Sequence, residues 1–320
     1  SVNRNKQAVV ADFADTAQLH ALRELIREAD VLVENFRPGV LAKFGLDYDS
    51  LRELNPTLVY CSISGFGEKQ GAALPGFDLL VQAVGGLMSI TGEPDGPPSK
   101  VGVALVDVLA AQNAVAGILL ALRERDSSGI GQRVSINLLG SLLAGLTNQS
   151  SSTLATGKSP ARMGNAHPSI APYETFAASD GVVAIAVGND RQFAALAQHL
   201  GQPELVHDPR FGSNSARVAH RTELKAIIEA ATVSATAAHW AKALMSAGVP
   251  AGKVNSIAEA IDFAKELGLD PVALITDPAT GEVTEQIASP IGLSRTGAQY
   301  RSIPPAHGEH QALLGTLANS

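Results

Sequence analysis

Asp107 is the residue of this 320-residue chain whose surroundings most strongly suggest chemistry. It ends the apolar run VGVALVD and precedes a second apolar stretch at residues 108–122. A carboxylate between two such runs is costly to bury, so its charge must be compensated. One prediction is that Asp107 caps the following helix by accepting hydrogen bonds from the free N–H groups of that helix. The other is that Asp107 is an ionised nucleophile that attacks a carbonyl. Local sequence favours the cap. The two roles are compatible, because a helix N-terminus keeps an aspartate charged.

The composition describes a globular protein with 45% hydrophobic residues and a formal net charge of −7. This acidic balance argues against nucleic-acid binding. No window of about 18 uncharged apolar residues occurs, so neither a transmembrane helix nor a membrane partner is expected. The one cysteine, Cys61, excludes an internal disulfide, and no metal site is expected from the cysteine or the scattered histidines. We expect a cytoplasmic protein, with a mitochondrial or other organellar location left open.

Strand-like and helix-like segments alternate over residues 7–69, which is typical of a parallel sheet with crossover helices. The predicted strands of this region are residues 7–13, 30–34 and 57–64, and a further strand is predicted at 132–137. The alternation starts without a preceding βαβ unit, so we expect that a leading unit of about 30 residues is missing.

The arrangement of predicted strands and helices changes after a segment rich in Gly, Pro, Ser and Asn at residues 156–172. We therefore predict four parts: a large α/β domain at 1–150, a linker at 151–172, a smaller α+β domain at 173–275, and a segment at 276–320 that returns to the large domain.

Several segments, in matching order and spacing over essentially the whole chain, resemble the class III CoA-transferases. They are NRNK (3–6), ADVLVENFRPG (29–39), GLDY (45–48), SISGFG (62–67), GFDLLVQA (76–83), TG through Asp107 (91–107), GIGQ (129–132) and GEH (308–310). The resemblance implies a Rossmann-like open parallel sheet in the large domain, a smaller α+β domain and an interlocked homodimer. It also implies that part of the CoA site belongs to the missing leading segment.

The resemblance places Asp107 at the position of the family's nucleophilic aspartate. It implies that CoA moves from an acyl-CoA to a carboxylic acid through a covalent aspartyl-CoA thioester, with acyl-CoA as substrate and no tightly bound cofactor. The carboxylate fits this role because it is ionised at neutral pH and needs no general base.

The resemblance also assigns roles to other residues. The CoA contacts that it implies are Lys6, Asn35, Phe36, Arg37 and Lys43. Asp78 matches an acidic position near the nucleophile, where it would either tune Asp107 or act as a helix cap. The stretch RMGNAHPSIAPY resembles the subgroup that acts on dicarboxylic acyl groups such as succinyl-CoA. The residues of this stretch that would contact the substrate, if it is not simply a linker, are Arg162, Asn165 and His167.

Two other functions remain open. Alpha-methylacyl-CoA racemases, which resemble this chain, carry a catalytic His where this chain has Phe77, and a phenyl ring cannot abstract a proton. A racemase is therefore disfavoured. The missing leading segment favours the second alternative, a truncated acyl-CoA-binding relative without catalytic activity.

Overall fold

The computed structural model describes residues 2–277 and 280–318, so parts of the predicted return segment 276–320 lie outside the described residues. Contacts divide the chain into two compact units. Unit 1 comprises Ser1–Leu87, Lys100–Ser159 and Phe263–Ser320, and unit 2 comprises Met88–Ser99 and Pro160–Asp262. The predicted boundaries did not anticipate that Met88–Ser99 groups with the second unit.

Unit 1 contains a parallel three-stranded sheet, which confirms its predicted α/β class. The strands are β1 (Val31–Glu34), β2 (Val59–Ser64) and β3 (Arg133–Asn137), in the order β1-β2-β3. β2 is the central strand, and its first four residues are buried. Since all three strands run the same way, their carboxyl ends meet at one edge of the sheet.

Seven helices lie in the chain up to residue 156, and polar side chains start two of them. They are α1 (Thr16–Arg27), α2 (Tyr48–Leu54), α3 (Asp78–Val84), α4 (Leu87–Ile90), α5 (Leu105–Ser128), α6 (Leu138–Gly145) and α7 (Asn148–Thr156). Asp15 accepts hydrogen bonds from the N–H groups of Ala17 and Gln18 at the start of α1. Asn137 accepts from Gly140 N at 2.7 Å, so α6 begins directly where β3 ends.

Helix α5 packs on the sheet through small side chains. Its buried residues are Val106, Ala110, Ala114 and Ala121. A Cβ on Gly117 would lie 2.7 Å from Val134 Cγ1 of β3, so glycine allows the helix to approach the strand closely. By length and composition α5 could also cross a membrane. Its uncharged apolar run is limited to residues 108–122 by Asp107 and Arg123, so the expectation that the chain has no transmembrane helix stays a prediction.

Unit 2 is built on an antiparallel sheet covered by helices. Its strands are β4 (Tyr173–Ala178), β5 (Gly181–Ala186) and β6 (Ala251–Lys253), in the order β4-β5-β6. The following helices of the chain are α8 (Asp190–His199), α9 (Asn214–Ala219), α10 (Arg221–Thr232), α11 (Ala237–Ser246) and α12 (Ile257–Glu266). The sheet shares a core with α8, α10 and α11 that includes Phe176, Ile185, Leu196, Ile228 and Leu244.

The predicted linker 151–172 is not a free connection. Residues 148–156 form α7, and the stretch that follows is tied to unit 2 by side chains of α9 and α10. Arg221 Nη2 donates to His167 O at 2.6 Å, and Arg217 Nε donates to Ala171 O at 2.8 Å. These bonds satisfy carbonyls that the absence of regular structure would otherwise leave unpaired.

Residues 7–13, predicted as a strand, join no sheet and instead pair with the beginning of the last helix. After the hairpin of β7 (Val272–Thr276) and β8 (Val283–Ile287), the chain ends its described part with α13 (Gln311–Ala318). Ala8 N donates to His310 Nδ1, and His310 N donates to Ala8 O at 2.9 Å. Val10 exchanges two hydrogen bonds with the Gln311 side chain. One backbone bond and the side chains of His310 and Gln311 thus take the place of a neighbouring strand.

Candidate active site

A cavity of about 620 Å³ opens at the carboxyl edge of the parallel sheet. Each strand supplies part of its wall through the residues that follow it, and the first turn of α5 supplies another. The lining residues that matter for the chemistry are Asn35, Phe36 and Arg37 after β1, Gly65 after β2, Leu138 after β3, and Asp107. Ligands of open parallel sheets bind at this edge.

Asp107 is the third residue of α5, and Ala104 occupies the cap position. The prediction that Asp107 caps the helix is therefore wrong. Asp78 takes over this task from a separate helix, because its Oδ2 accepts hydrogen bonds from Val106 N at 2.8 Å and from Asp107 N at 3.2 Å. Gln82 Nε2 donates to the other oxygen of Asp78 at 2.6 Å. Two carboxylates thus lie side by side, one bonded to backbone and one facing the cavity.

This arrangement changes the acidity of Asp107. Partial burial raises the pKa of its carboxyl above the ordinary 3.8, and the negative charge of Asp78 raises that pKa further. A carboxylate with a raised pKa holds its electron pair less tightly and is the better nucleophile. Any reaction that needs the ionised form should weaken as the pH falls through this raised pKa.

Glu34, which the sequence interpretation passed over, fixes the turn that carries Asn35 and Phe36. Its Oε2 accepts from Phe36 N at 2.8 Å, and its Oε1 accepts from the Ser62 hydroxyl of the central strand. The signal was present in the sequence as a carboxylate at a strand end. Its partner on β2 could not be read without the strand register.

Of the five predicted CoA contacts, Asn35, Phe36 and Arg37 line the cavity. Lys6 and Lys43 are not among its lining residues. Lys6 Nζ donates to Asn3 Oδ1 at 3.0 Å, and Lys43 lies exposed in a single 3₁₀ turn, Leu41–Phe44. A role of any of the five in CoA binding stays a prediction.

The three predicted substrate contacts lie in unit 2, and local groups engage each of them. The Arg162 guanidinium donates to the carbonyls of Glu93 at 3.2 Å and Gly96 at 2.7 Å. Asn165 Nδ2 donates to Thr175 Oγ1 at 3.0 Å. The His167 ring accepts from Ser169 N and lies 5.1 Å from the ring of Tyr173. These contacts give each residue a structural task, and substrate binding by them stays a prediction.

Phe77 lines the cavity and is 70% exposed as a residue. In the part of the chain that the structure describes, no histidine or lysine lines this cavity. The ionisable groups that line it are the carboxylates of Glu34 and Asp107 and the guanidinium of Arg37. Since Glu34 accepts hydrogen bonds from Phe36 N and the Ser62 hydroxyl, Asp107 is the candidate for covalent chemistry. Within the same described ranges, no group of three potential metal ligands occurs.

Comparisons with known proteins point to one family. The model of CoA-transferase family III matches residues 1–311. The chain is 42% identical to the succinate–glutarate CoA-transferase of Agrobacterium fabrum, over 98% of this chain and 78% of that protein. It is also 42% identical to the acetyl-CoA:oxalate CoA-transferase of Acetobacter aceti, over 82% of this chain and 68% of that protein.

A solved structure shows the same relationship. The crystal structure of a CAIB/BAIF family protein from Brucella suis matches with a TM-score of 0.87 at 40% identity, covering 99% of this chain and 83% of that one. The chain therefore belongs to CoA-transferase family III and is a class III CoA-transferase.

Proposed function

We propose that the enzyme moves CoA from a dicarboxylic acyl-CoA, with succinyl-CoA as the first candidate, to a carboxylic acid through covalent Asp107. The observation that carries this proposal is the Asp107 carboxylate in the first turn of α5, facing the cavity at the carboxyl edge of the sheet. The relatives named for succinate, glutarate and oxalate support dicarboxylic acids as substrates.

The proposed reaction uses two exchanges at one carboxylate. Asp107 attacks the thioester carbonyl of the donor, which gives an acyl–aspartyl anhydride and CoA thiolate. The thiolate attacks the aspartyl carbonyl, so the donor acid leaves and an aspartyl-CoA thioester remains. The acceptor carboxylate attacks this thioester and releases the thiolate again. The thiolate finally takes the new acyl group, and Asp107 is free.

The residues around Asp107 divide the supporting tasks. Asp78 positions the first turn of α5 and raises the basicity of the nucleophile. Asn35, Phe36 and Arg37 are proposed to hold the CoA chain, since they line the same cavity as Asp107 and Arg37 offers charge to a phosphate. The apolar side chains of the wall, among them Leu74 and Phe77, would help keep out water that hydrolyses an anhydride.

Trapping the intermediate tests this proposal. The protein is incubated with succinyl-CoA, treated with hydroxylamine and digested with trypsin. Residues 101–123 form one tryptic peptide in which Asp107 is the one acidic side chain, so a modified carboxyl is assigned without ambiguity. We expect a hydroxamate on this peptide that is absent without acyl-CoA.

If the peptide is unmodified after incubation with succinyl-CoA, the incubation is repeated with acetyl-CoA and with oxalyl-CoA as donors. No hydroxamate with any donor, in a protein that binds CoA in a direct titration, would refute covalent catalysis by Asp107. A protein that binds no CoA would refute the enzyme reaction as proposed for this chain.

We also propose that a second copy of the chain covers one side of unit 1 in an interlocked dimer. The face of α5 away from the sheet carries large aliphatic side chains, with Val115 57%, Leu119 60% and Leu120 72% exposed. Leu79 and Val84 of α3 are exposed as well. A helix that buries alanines and exposes leucines is typical of an element with a further partner.

Sedimentation velocity at micromolar concentration should therefore give twice the chain mass of 33.1 kDa. The Leu119→Glu/Leu120→Glu double variant should sediment as a single chain, because it places two charges in the apolar face. A wild-type protein that sediments at the single-chain mass would contradict the dimer.

A further inference from the structure

Gly65 and Gly76 form a backbone-to-backbone contact on the wall of the cavity. A Cβ built on Gly65 would lie 2.4 Å from the Cα of Gly76, and one built on Gly76 would lie 2.6 Å from the Cα of Gly65. Both distances are far below ordinary van der Waals contact, and the atoms met are backbone atoms. Neither position therefore accepts a side chain unless one segment moves.

The two glycines differ in how firmly they are held. Gly65 directly follows the central strand β2, and its carbonyl accepts a hydrogen bond from Leu139 N of α6 at 3.1 Å. Gly76 lies in the loop that leads to α3, two residues before Asp78. Strain at the contact should thus move the loop and the beginning of α3, and leave the sheet in place.

Asp78 transmits such a movement to the reacting group. Its carboxylate bonds the N–H groups of Val106 and Asp107, and its contact with Gln82 continues to the backbone of the segment before α5, where Val101 N donates to Gln82 Oε1 at 2.9 Å. The chain of contacts therefore runs from β2 through Gly65, Gly76 and Asp78 to Asp107.

We propose that the Gly65–Gly76 contact is a positioning device of the transfer reaction, which sets the place of the Asp107 carboxylate through Asp78. The inference rests on the proposed function of Asp107. It assigns to two glycines a role in the rate of covalent catalysis that is separate from folding.

The distances allow an estimate of the effect. Relief of the clash requires a displacement of about 1 Å, which is enough to break hydrogen bonds of 2.8 and 3.2 Å. A misplacement of this size at a reacting group costs about 10²-fold in rate. We therefore expect Gly65→Ala to lower the rate of hydroxamate formation by about 10²-fold and to leave the Kd for CoA within about threefold of the wild type.

The pH profile separates positioning from general damage to the fold. Movement of Asp78 away from Asp107 weakens the repulsion between the two carboxylates, so the pKa of Asp107 falls. The acidic side of the pH profile of the trapping rate then moves to lower pH. Asp78→Asn, which loses the charge and keeps an acceptor oxygen, should move this side of the profile in the same direction.

Gly102→Ala is the matched control, because a Cβ at Gly102 meets nothing within 4 Å and the residue lies five positions before Asp107. It should keep the wild-type rate and pH profile. Should Gly65→Ala not fold, Gly76→Ala tests the same contact from its other side.

Two results would overturn the inference. One is a wild-type trapping rate in a folded Gly65→Ala or Gly76→Ala protein. The other is a loss that follows the fraction of unfolded protein, with the acidic side of the pH profile of the folded remainder unmoved. A failure of the proposed function is distinguishable, because the wild-type protein itself would then give no hydroxamate.

Discussion

Substitution of Asp107 by alanine should lower the rate of CoA transfer from succinyl-CoA to glutarate by at least about 10⁴-fold, because the variant lacks the carboxylate that we propose as the nucleophile. Asn35, Phe36 and Arg37, which we propose to hold CoA, are unchanged in this variant. The Kd for CoA should therefore stay within about threefold of the wild type. Steady-state kinetics and a calorimetric CoA titration measure the two quantities on the same preparation.

Asp126→Ala is the control for this variant, since Asp126 is an exposed aspartate near the opposite end of the same helix. It should transfer CoA at the wild-type rate. An Asp107→Ala protein that retains a tenth of the activity would exclude the carboxylate as nucleophile. A variant that loses CoA binding together with activity would show that Asp107 contributes mainly to binding.

Arg217→Met should be the most destabilising of the single substitutions considered, at about 3–4 kcal/mol of unfolding free energy. The Arg217 side chain is buried, with 1% of the residue exposed. Its guanidinium donates to Ala171 O at 2.8 Å, to Phe211 O at 3.0 Å and to Asp190 Oδ1 at 2.9 Å. Methionine fills much of the space but leaves two carbonyls without their donor.

Trp240 makes this loss measurable in unit 2 alone. It is the one tryptophan of the chain, it is buried, and its Nε1 donates to Thr232 O at 2.7 Å. Urea unfolding followed by its fluorescence should show a midpoint well below that of the wild type. Arg210→Met, which removes an exposed arginine paired with Asp208 and Glu223, should leave the midpoint nearly unchanged. Equal shifts in the two variants would contradict a special role of the buried guanidinium.

The parallel sheet was predictable because its strands are apolar, β-branched runs bounded by turn residues. The segments predicted at 30–34, 57–64 and 132–137 correspond to β1, β2 and β3. The same pattern at residues 7–13 was misleading. Whether an extended segment joins a sheet depends on which partner reaches it, and here the partners are side chains about 300 residues away. β4 was missed because polar residues at 174 and 175 interrupt its apolar pattern.

The candidate site was predictable as far as topology alone determines it. Parallel strands bring their carboxyl ends together, so the turn after β1 and the residues after β2 and β3 had to share an edge. The cap of α5 by Asp78 joins residues 28 positions apart, and the contact of Gly65 with Gly76 depends on the path of a loop. No local pattern encodes such distances. Asp107 was visible as a candidate because a lone carboxylate between two apolar runs is rare.

The hydrogen bonds between residues 8–10 and residues 310–311 also determine when these residues can reach their native contacts during synthesis. A ribosome that adds about 5–20 residues per second exposes Ala8 roughly 15–60 s before His310 and Gln311 leave the exit tunnel. During that interval the backbone groups of residues 8 and 10 have no native partner, while the antiparallel sheet of unit 2 is complete in sequence. Residues 8 and 10 thus reach their final contacts late although they are synthesised well before residue 310, and a nascent chain stalled before residue 310 should present them to chaperones.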